Sequence, residues 1–324
     1  MIWYSDVSFP IFKEDSITME KLFKLKAHGT TTRTELLAGV TTFLTMAYIL
    51  AVNPGMLAQA GMNQGMVFFA TALAAAIATL VMAFTANLPI ALAPGMGLNA
   101  FFTYTVVLGM GYSWEIALTA VFLEGILFIV LSFFNVREAI INSIPANLKK
   151  AVAVGIGLFI TLIGLVDAGI IVGNPATVVG LGDMAGKTVI LAFIGLIIIA
   201  VLHARKVHGA ILIGIIAATI IGIPMGITVP AGGWENWKPF SAPPSPYFFN
   251  FDFSQVLTIK FFTVFFAFLF VDIFDTVGTL LGVTTQAGLT DSEGKIPRVK
   301  QALLSDAIGT SVGAALGTST VTSY

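Results

Sequence analysis

Asp272 and Asp275 are the only charged residues between Phe261 and Thr290, in an otherwise apolar run long enough to cross a bilayer. A carboxylate at the middle of a membrane helix costs about 2.5–3.5 kcal/mol on insertion scales, so two of them need a reason. Three residues apart on a helix, they lie close together on one side. Two carboxylates so arranged suit a proton site, a ligand site, or both.

A second set of residues lies in Ala91–Thr105, ALAPGMGLNAFFTYT. Pro94, Gly95 and Gly97 all disfavour a continuous helix. Free backbone groups at membrane depth are tolerated only where protein buries them or where they line a cavity, and transporters use such breaks to build substrate sites. Asn99 follows the break with both a donor and an acceptor. A Pro-Gly kink that merely lets helices pack is the plainer reading, but three breakers in so short a run favour the site. The terminal segment Gly317–Tyr324, GTSTVTSY, has alternating Thr318, Thr320 and Thr322 and suits a short extended segment. It is either the partner of the first break or a frayed tail.

Other acids are weaker candidates. Glu124 falls mid-span and needs a partner or a proton there. Asp167 and Asp306 lie near expected span ends, within reach of water. Phe101, Phe102 and Phe274 neighbour the polar centres and could stack on a flat ligand. His28, His203 and His208 form no metal-ligand cluster with nearby acids, so neither a metal nor a cofactor is expected.

The elements that must hold these residues are membrane helices. Charged residues make up 10% of the chain and the mean hydropathy is +0.94, against about 25% charged in soluble domains. There is no cysteine, which removes disulfides and thiolate metal sites. The net charge of −1 says little about partners. The first residues lack the apolar core of a signal peptide, and Met19 is an alternative start to Met1. Nine spans are expected, at 36–54, 66–86, 88–108, 114–134, 151–172, 187–203, 208–226, 256–281 and 301–316. Val136–Lys150 reads as an amphipathic surface helix. With a cytosolic N-terminus, only Lys187, Lys238 and Lys260 of the 16 basic residues fall on the outer side, a strong positive-inside bias. The chain thus divides into a cytosolic tail (1–35), spans one to seven (36–226), an outer loop rich in Pro, Trp and Phe (227–255), and a last part (256–324).

Several classes are disfavoured. The chain has no G-x-x-x-x-G-K-[ST] loop for ATP, no H-E-x-x-H motif and no G-x-S-x-G elbow, so neither a pump nor an enzyme is expected. A channel needs a continuous polar pore face, and the eighth span offers only two acids and a few threonines. Nothing points to nucleic acid.

Residues 35–57 (ELLAGVTTFLTMAYILAVNPGML), 91–106, 268–283 (FLFVDIFDTVGTLLGV) and 317–324 resemble the AzgA-like guanine and hypoxanthine permeases, a branch of the nucleobase:cation symporters. The resemblance runs from about Met19 to the last residue. It implies an all-α polytopic membrane protein of seven plus seven helices in inverted repeat, with short extended breaks in spans three and ten. The first repeat would occupy 36–226, and 256–324 would begin the second. The chain then looks like the N-terminal part of a permease, cut within the second repeat, since span ten of the family carries a further glutamate beyond Tyr324. An inactive fragment is one reading of that.

The resemblance further implies import of purine nucleobases (guanine, hypoxanthine, possibly adenine) by proton symport across the bacterial inner membrane. A homodimer is compatible with it, though no motif specifies one. By the resemblance, Asp272 binds the purine and Asp275 serves proton coupling or site structure. It places Asn99 and Tyr324 along the site, and Phe101, beside the polar centre, is the ring expected to touch the substrate. On that assignment Asp272→Asn abolishes binding, and Asp275→Asn harms transport more than binding. The same fold also hosts anion transporters, but no Lys or Arg lies inside an expected span.

Overall fold

The computed structural model describes residues 19–134, 145–230, 233–236, 242, 244–290 and 296–324. Local signals start the helices where the sequence offers a capping oxygen. Thr31 accepts from the N–H of Thr34 at the head of α1 (Thr32–Met46). After a turn at Ala47–Tyr48 the chain re-enters α2 (Ile49–Gln59). Asn63 Oδ1 accepts from Gly65 and Met66 N–H at 3.0 and 3.1 Å to open α3 (Gln64–Thr85). These side chains satisfy N–H groups that the first helical turn leaves unpaired.

The third span is broken. Leu92–Pro94 is a strand, β1, followed by one helical turn, α4 (Met96–Ala100), and a π-helical stretch, Phe101–Gly109. Proline and glycine supply the break; the wider π turn that follows is an uncommon geometry, found mostly at functional sites. Next come α5 (Trp114–Phe133) and α6 (Ala146–Asp167), then a hairpin of β2 (Ile171–Asn174) and β3 (Val178–Leu181). α7 (Lys187–Ala204) and α8 (Ala210–Gly222) form a pair. The last part holds α9 (Ile259–Gln286), α10 (Val299–Leu316) and a final strand, β4 (Val321–Ser323).

Each stretch read as a span is helical over most of its length, with several shifts of boundary: the first runs on to Gln59 and the seventh stops at Gly222. The fifth stops at Asp167 because Gly169 turns at φ 78° into the hairpin. The third begins extended. The eighth continues five residues beyond Leu281, to Gln286. Among the described residues, five helical segments are long and apolar enough to cross a membrane: Thr32–Gln59, Gln64–Thr85, Trp114–Phe133, Lys187–Ala204 and Ile259–Gln286. Most of the expected surface helix at 136–150 lies outside the described residues; Ala146–Lys150 form the start of α6. Residues 1–18, and with them the choice between Met1 and Met19, also lie outside.

The core gathers around α10, which packs between α3 and α5. Ala70, Ala74 and Ala78 recur every four residues on α3 and are fully buried. Small residues let backbones approach, the usual means of association for helices that gain little from the hydrophobic effect in lipid. Gly309 of α10 completes the fit: a Cβ there would stand 2.7 Å from that of Ala78. A second cluster joins Leu57 of α2, Phe102 and Val106 of the π-helix, Val121 of α5 and Phe268 of α9. By contrast α7 leaves Leu196, Ile197 and Val201 exposed, as a lipid-facing helix does.

Candidate functional site

β1 and β4 pair antiparallel, with Leu92 opposite Ser323, Ala93 opposite Thr322 and Pro94 opposite Val321. The extended segment at the end of the chain is therefore bonded to the break in span three. Gly95 N–H donates to Thr320 O at 3.0 Å, and Tyr324 N–H donates to Ala91 O at 2.8 Å. A two-stranded ribbon has two open edges, a costly state within a hydrocarbon layer. Threonines close them. Thr79 of α3 accepts from Leu92 N–H at 2.9 Å and donates to Leu92 O at 3.2 Å. Thr310 of α10 accepts from Val321 N–H at 3.2 Å and donates to Val321 O at 3.1 Å.

Three further contacts tie the ribbon to its surroundings. Asn53 of α2 is buried and donates to Thr71 of α3 at 2.7 Å and to Thr318 at 2.8 Å. Ser319 donates to Asn99 Oδ1. Thr279 of α9 meets the Ser323 hydroxyl at 2.8 Å.

Beside the ribbon lies a cavity of about 830 Å³, within the range of small-molecule sites. Its wall is made by Tyr48, Gly95 and Gly97 of the break, Ile156 and Ile160 of α6, Phe274, Asp275 and Thr279 of α9, and Thr322 and Tyr324. Gly95 must be glycine here. A Cβ on it would stand 2.6 Å from Thr322 Cγ2 and 3.2 Å from Asp275 Oδ2. The missing side chain lets the carboxylate come close to the ribbon.

The two acids of α9 part company. Residues three apart on an α-helix project about 60° from each other. Asp275 lines the cavity, whereas Asp272 is fully buried and is not part of its wall. Asp272 faces Thr276 and, beyond it, Asp306 of α10: Thr276 Oγ1 is 3.1 Å from Asp272 Oδ1 and 3.0 Å from Asp306 Oδ2. One hydroxyl has one proton to give. The hydroxyl of Thr276 thus links the carboxyls of α9 and α10.

Asp306 corrects the expectation that it reaches water. It is 1% exposed, because it faces α9 and not the helix end. Asp167 does lie at an exposed helix end, where its carboxylate accepts from Tyr104 OH at 3.2 Å. Glu124 is buried on α5, away from the cavity wall. Phe101 packs edge-on against Phe268, with centroids 4.9 Å apart, and Phe274 is the phenylalanine on the cavity. Asn99 is buried behind the ribbon, its Nδ2 without a partner among the described residues. Pro94 offers its carbonyl to Tyr324 OH at 2.9 Å.

Tyr48, Thr276 and Thr279 were not singled out from sequence, and Thr322 only as part of the extended segment. For Thr276 and Thr279 a signal existed, since each lies four residues after an acid of α9. Nothing in the sequence around Tyr48 marks it, because its place depends on the turn between α1 and α2.

Residues 33–324 match the Permease family. A putative permease of Methanocaldococcus jannaschii is 52% identical over 308 residues, covering 94% of this chain and 70% of that protein. The adenine permease AdeP of Escherichia coli is 45% identical, covering 94% and 68%. The guanine/hypoxanthine permease PbuG of Bacillus subtilis is 44% identical, covering 94% and 71%. Among solved structures, the transmembrane domain of the cyanobacterial bicarbonate transporter BicA superposes with a TM-score of 0.61 at 14% identity, over 89% of this chain and 74% of that one. At that identity the likeness speaks for the fold alone, that of a polytopic membrane protein.

Proposed function

The chain belongs to the permease family, and from that premise we propose that it is a purine nucleobase carrier whose ligand contacts Asp275. It is a transporter and not an enzyme. The observation that carries the reading is the cavity: one acid, two phenols and a bare glycine backbone meet where β1 and β4 cross. A purine is flat and rich in N–H donors, and a carboxylate can accept two of them side by side. The two kinds of named relative, adenine and guanine/hypoxanthine permeases, both handle such ligands.

Placement favours exchanging the roles first expected for the acids of α9. Asp275, on the cavity, meets the base. Asp272, with Thr276 and Asp306, holds the coupled proton. Transport is then proton symport by alternating access, with the N-terminus in the cytosol and the chain in a bacterial inner membrane. One charge moving through 100 mV supplies about 2.3 kcal/mol, enough for roughly fifty-fold accumulation of a neutral base. Asn99 acts through Ser319 to hold the ribbon, and Tyr324 faces the ligand.

The test is uptake of radiolabelled adenine, guanine and hypoxanthine in bacteria lacking their own purine permeases. Saturable, uncoupler-sensitive uptake is expected for at least one base. Uptake that ignores competing purines would sink the carrier reading. The rival of the same fold, an anion carrier, predicts bicarbonate or sulfate uptake without purine competition.

A further inference from the structure

The cavity beside the ribbon runs toward the C-terminal end of α9. Its wall follows that helix from Phe274 to Gln286, and Thr285 and Gln286 are exposed. Toward the other end of α9 aromatic packing stands in the way. Phe101 meets Phe268 with centroids 4.9 Å apart, and Phe159 of α6 joins the same cluster. Three residues after Phe101, Tyr104 OH donates to Asp167 Oδ2 at 3.2 Å. Asp167 also lines a second recess, of about 380 Å³, whose other walls include Val52, Met56 and Gln59 of α2.

Tyr104 belongs to the broken third span and Asp167 to the end of α6. Among the described residues, theirs is the only side-chain hydrogen bond that α6 makes to another element. Elsewhere its hold on the cavity wall is apolar: a Cβ on Gly97 would stand 2.7 Å from Ile156 Cγ2. An apolar face can slide, while a polar clasp at one end fixes where it stops. The clasp is longer than the ~2.7 Å usual for an O–H···O bond, and Asp167 is exposed, so water replaces it at little cost. From this placement we propose that Tyr104 and Asp167 are the outer latch of the transport cycle. Bonded, they hold the end of α6 against the third span while the cavity is open at its Gln286 end. Parted, they let α6 draw away from Phe101 and join the second recess to the cavity, a sliding of packed helices of the kind that switches other proteins. The inference rests on the carrier reading and deepens it, naming the pair that sets which side is open. Neither residue is placed on the ligand; both act through the position of α6.

The chain has no cysteine, so a single thiol reads alone. Ile160→Cys puts one on the cavity wall, about 10 Å along α6 from Asp167. Its reaction with a membrane-impermeant maleimide is measured in right-side-out and in inside-out vesicles. With the latch intact, one side should react at least about tenfold faster than the other. Adding Tyr104→Phe or Asp167→Ala should raise the slow-side rate at least about threefold and lower the fast-side rate, as the population shifts. The two changes together should match either alone, since each removes the same bond. A merely loosened fold would raise both rates, so opposite movement separates a latch from a structural contact. A slow-side rate unchanged in either variant, or both rates raised together, overturns the latch. Equal rates from the two sides with the latch intact mark an open pore and overturn the carrier reading instead.

Discussion

Asp272 and Asp275 are one helical turn apart on α9 yet belong to different environments: Asp275 lines the cavity, and Asp272 faces Asp306 across the hydroxyl of Thr276. The separation of about 60° is all that the helix imposes. What divides the acids is what stands opposite, the β1–β4 ribbon for one and α10 for the other.

That division predicts opposite defects. Asp275→Asn should lower purine affinity by at least about a hundredfold, since an amide cannot accept two N–H groups as a carboxylate does. Asp272→Asn should leave affinity within about threefold and remove the dependence of uptake on a pH gradient. Calorimetry on purified protein and uptake into vesicles with an imposed gradient measure the two; the reverse pattern would restore the assignment first drawn from sequence.

Thr276→Val keeps the shape of the side chain and removes the hydroxyl that lies between Asp272 and Asp306. Gradient-driven accumulation should fall at least about tenfold, while exchange of labelled for unlabelled base across the vesicle membrane stays within about threefold. Equal loss of both would mark Thr276 as structural.

Gly95→Ala should abolish binding without unfolding the protein. The added methyl must displace Thr322 and crowd Asp275, and overpacking of this kind costs about 1–3 kcal/mol locally. A melting temperature close to the parent's, together with lost affinity, is the expected result; unaltered affinity would mean the ligand sits elsewhere.

Asn53→Ala should destabilise by about 1–2 kcal/mol, since two hydrogen bonds are lost in a setting where each contributes modestly. Thermal melting in detergent reads this directly. Because Asn53 reaches the ribbon only through Thr318, ligand affinity should fall less than stability implies.

Much of this was legible before any coordinates. Charges in an apolar run marked α9, and three breakers in four residues marked the ribbon. Alternating threonines after Gly317 suggested the extended partner. Periodicity gives an angle between two side chains but not the neighbour each one meets, so it cannot tell that Asp275 lines the cavity while Asp272 is buried beside Thr276. Asp306 was misjudged for a related reason. Distance from a span end was taken as distance from water, whereas the side chain points inward toward α9. Tyr48 was invisible because a turn between two apolar helices leaves no pattern of its own. Phe101 looked equivalent to Phe274 by proximity to polar residues, and only packing on Phe268 separates them.

The threonine clasps on the ribbon carry one more consequence. Thr79 and Thr310 each grip both the N–H and the C=O of a single residue, Leu92 and Val321. Slippage of either strand by one position would turn the N–H and C=O away from the hydroxyl, because successive residues of a strand direct these groups to opposite edges. The alignment of β1 with β4 is thus dictated from outside, by α3 and α10, and would survive even if the hydrogen bonds between the strands were transiently broken by a passing ligand. Two hydroxyls serve as indexing pins: they fix which residue of each strand meets which.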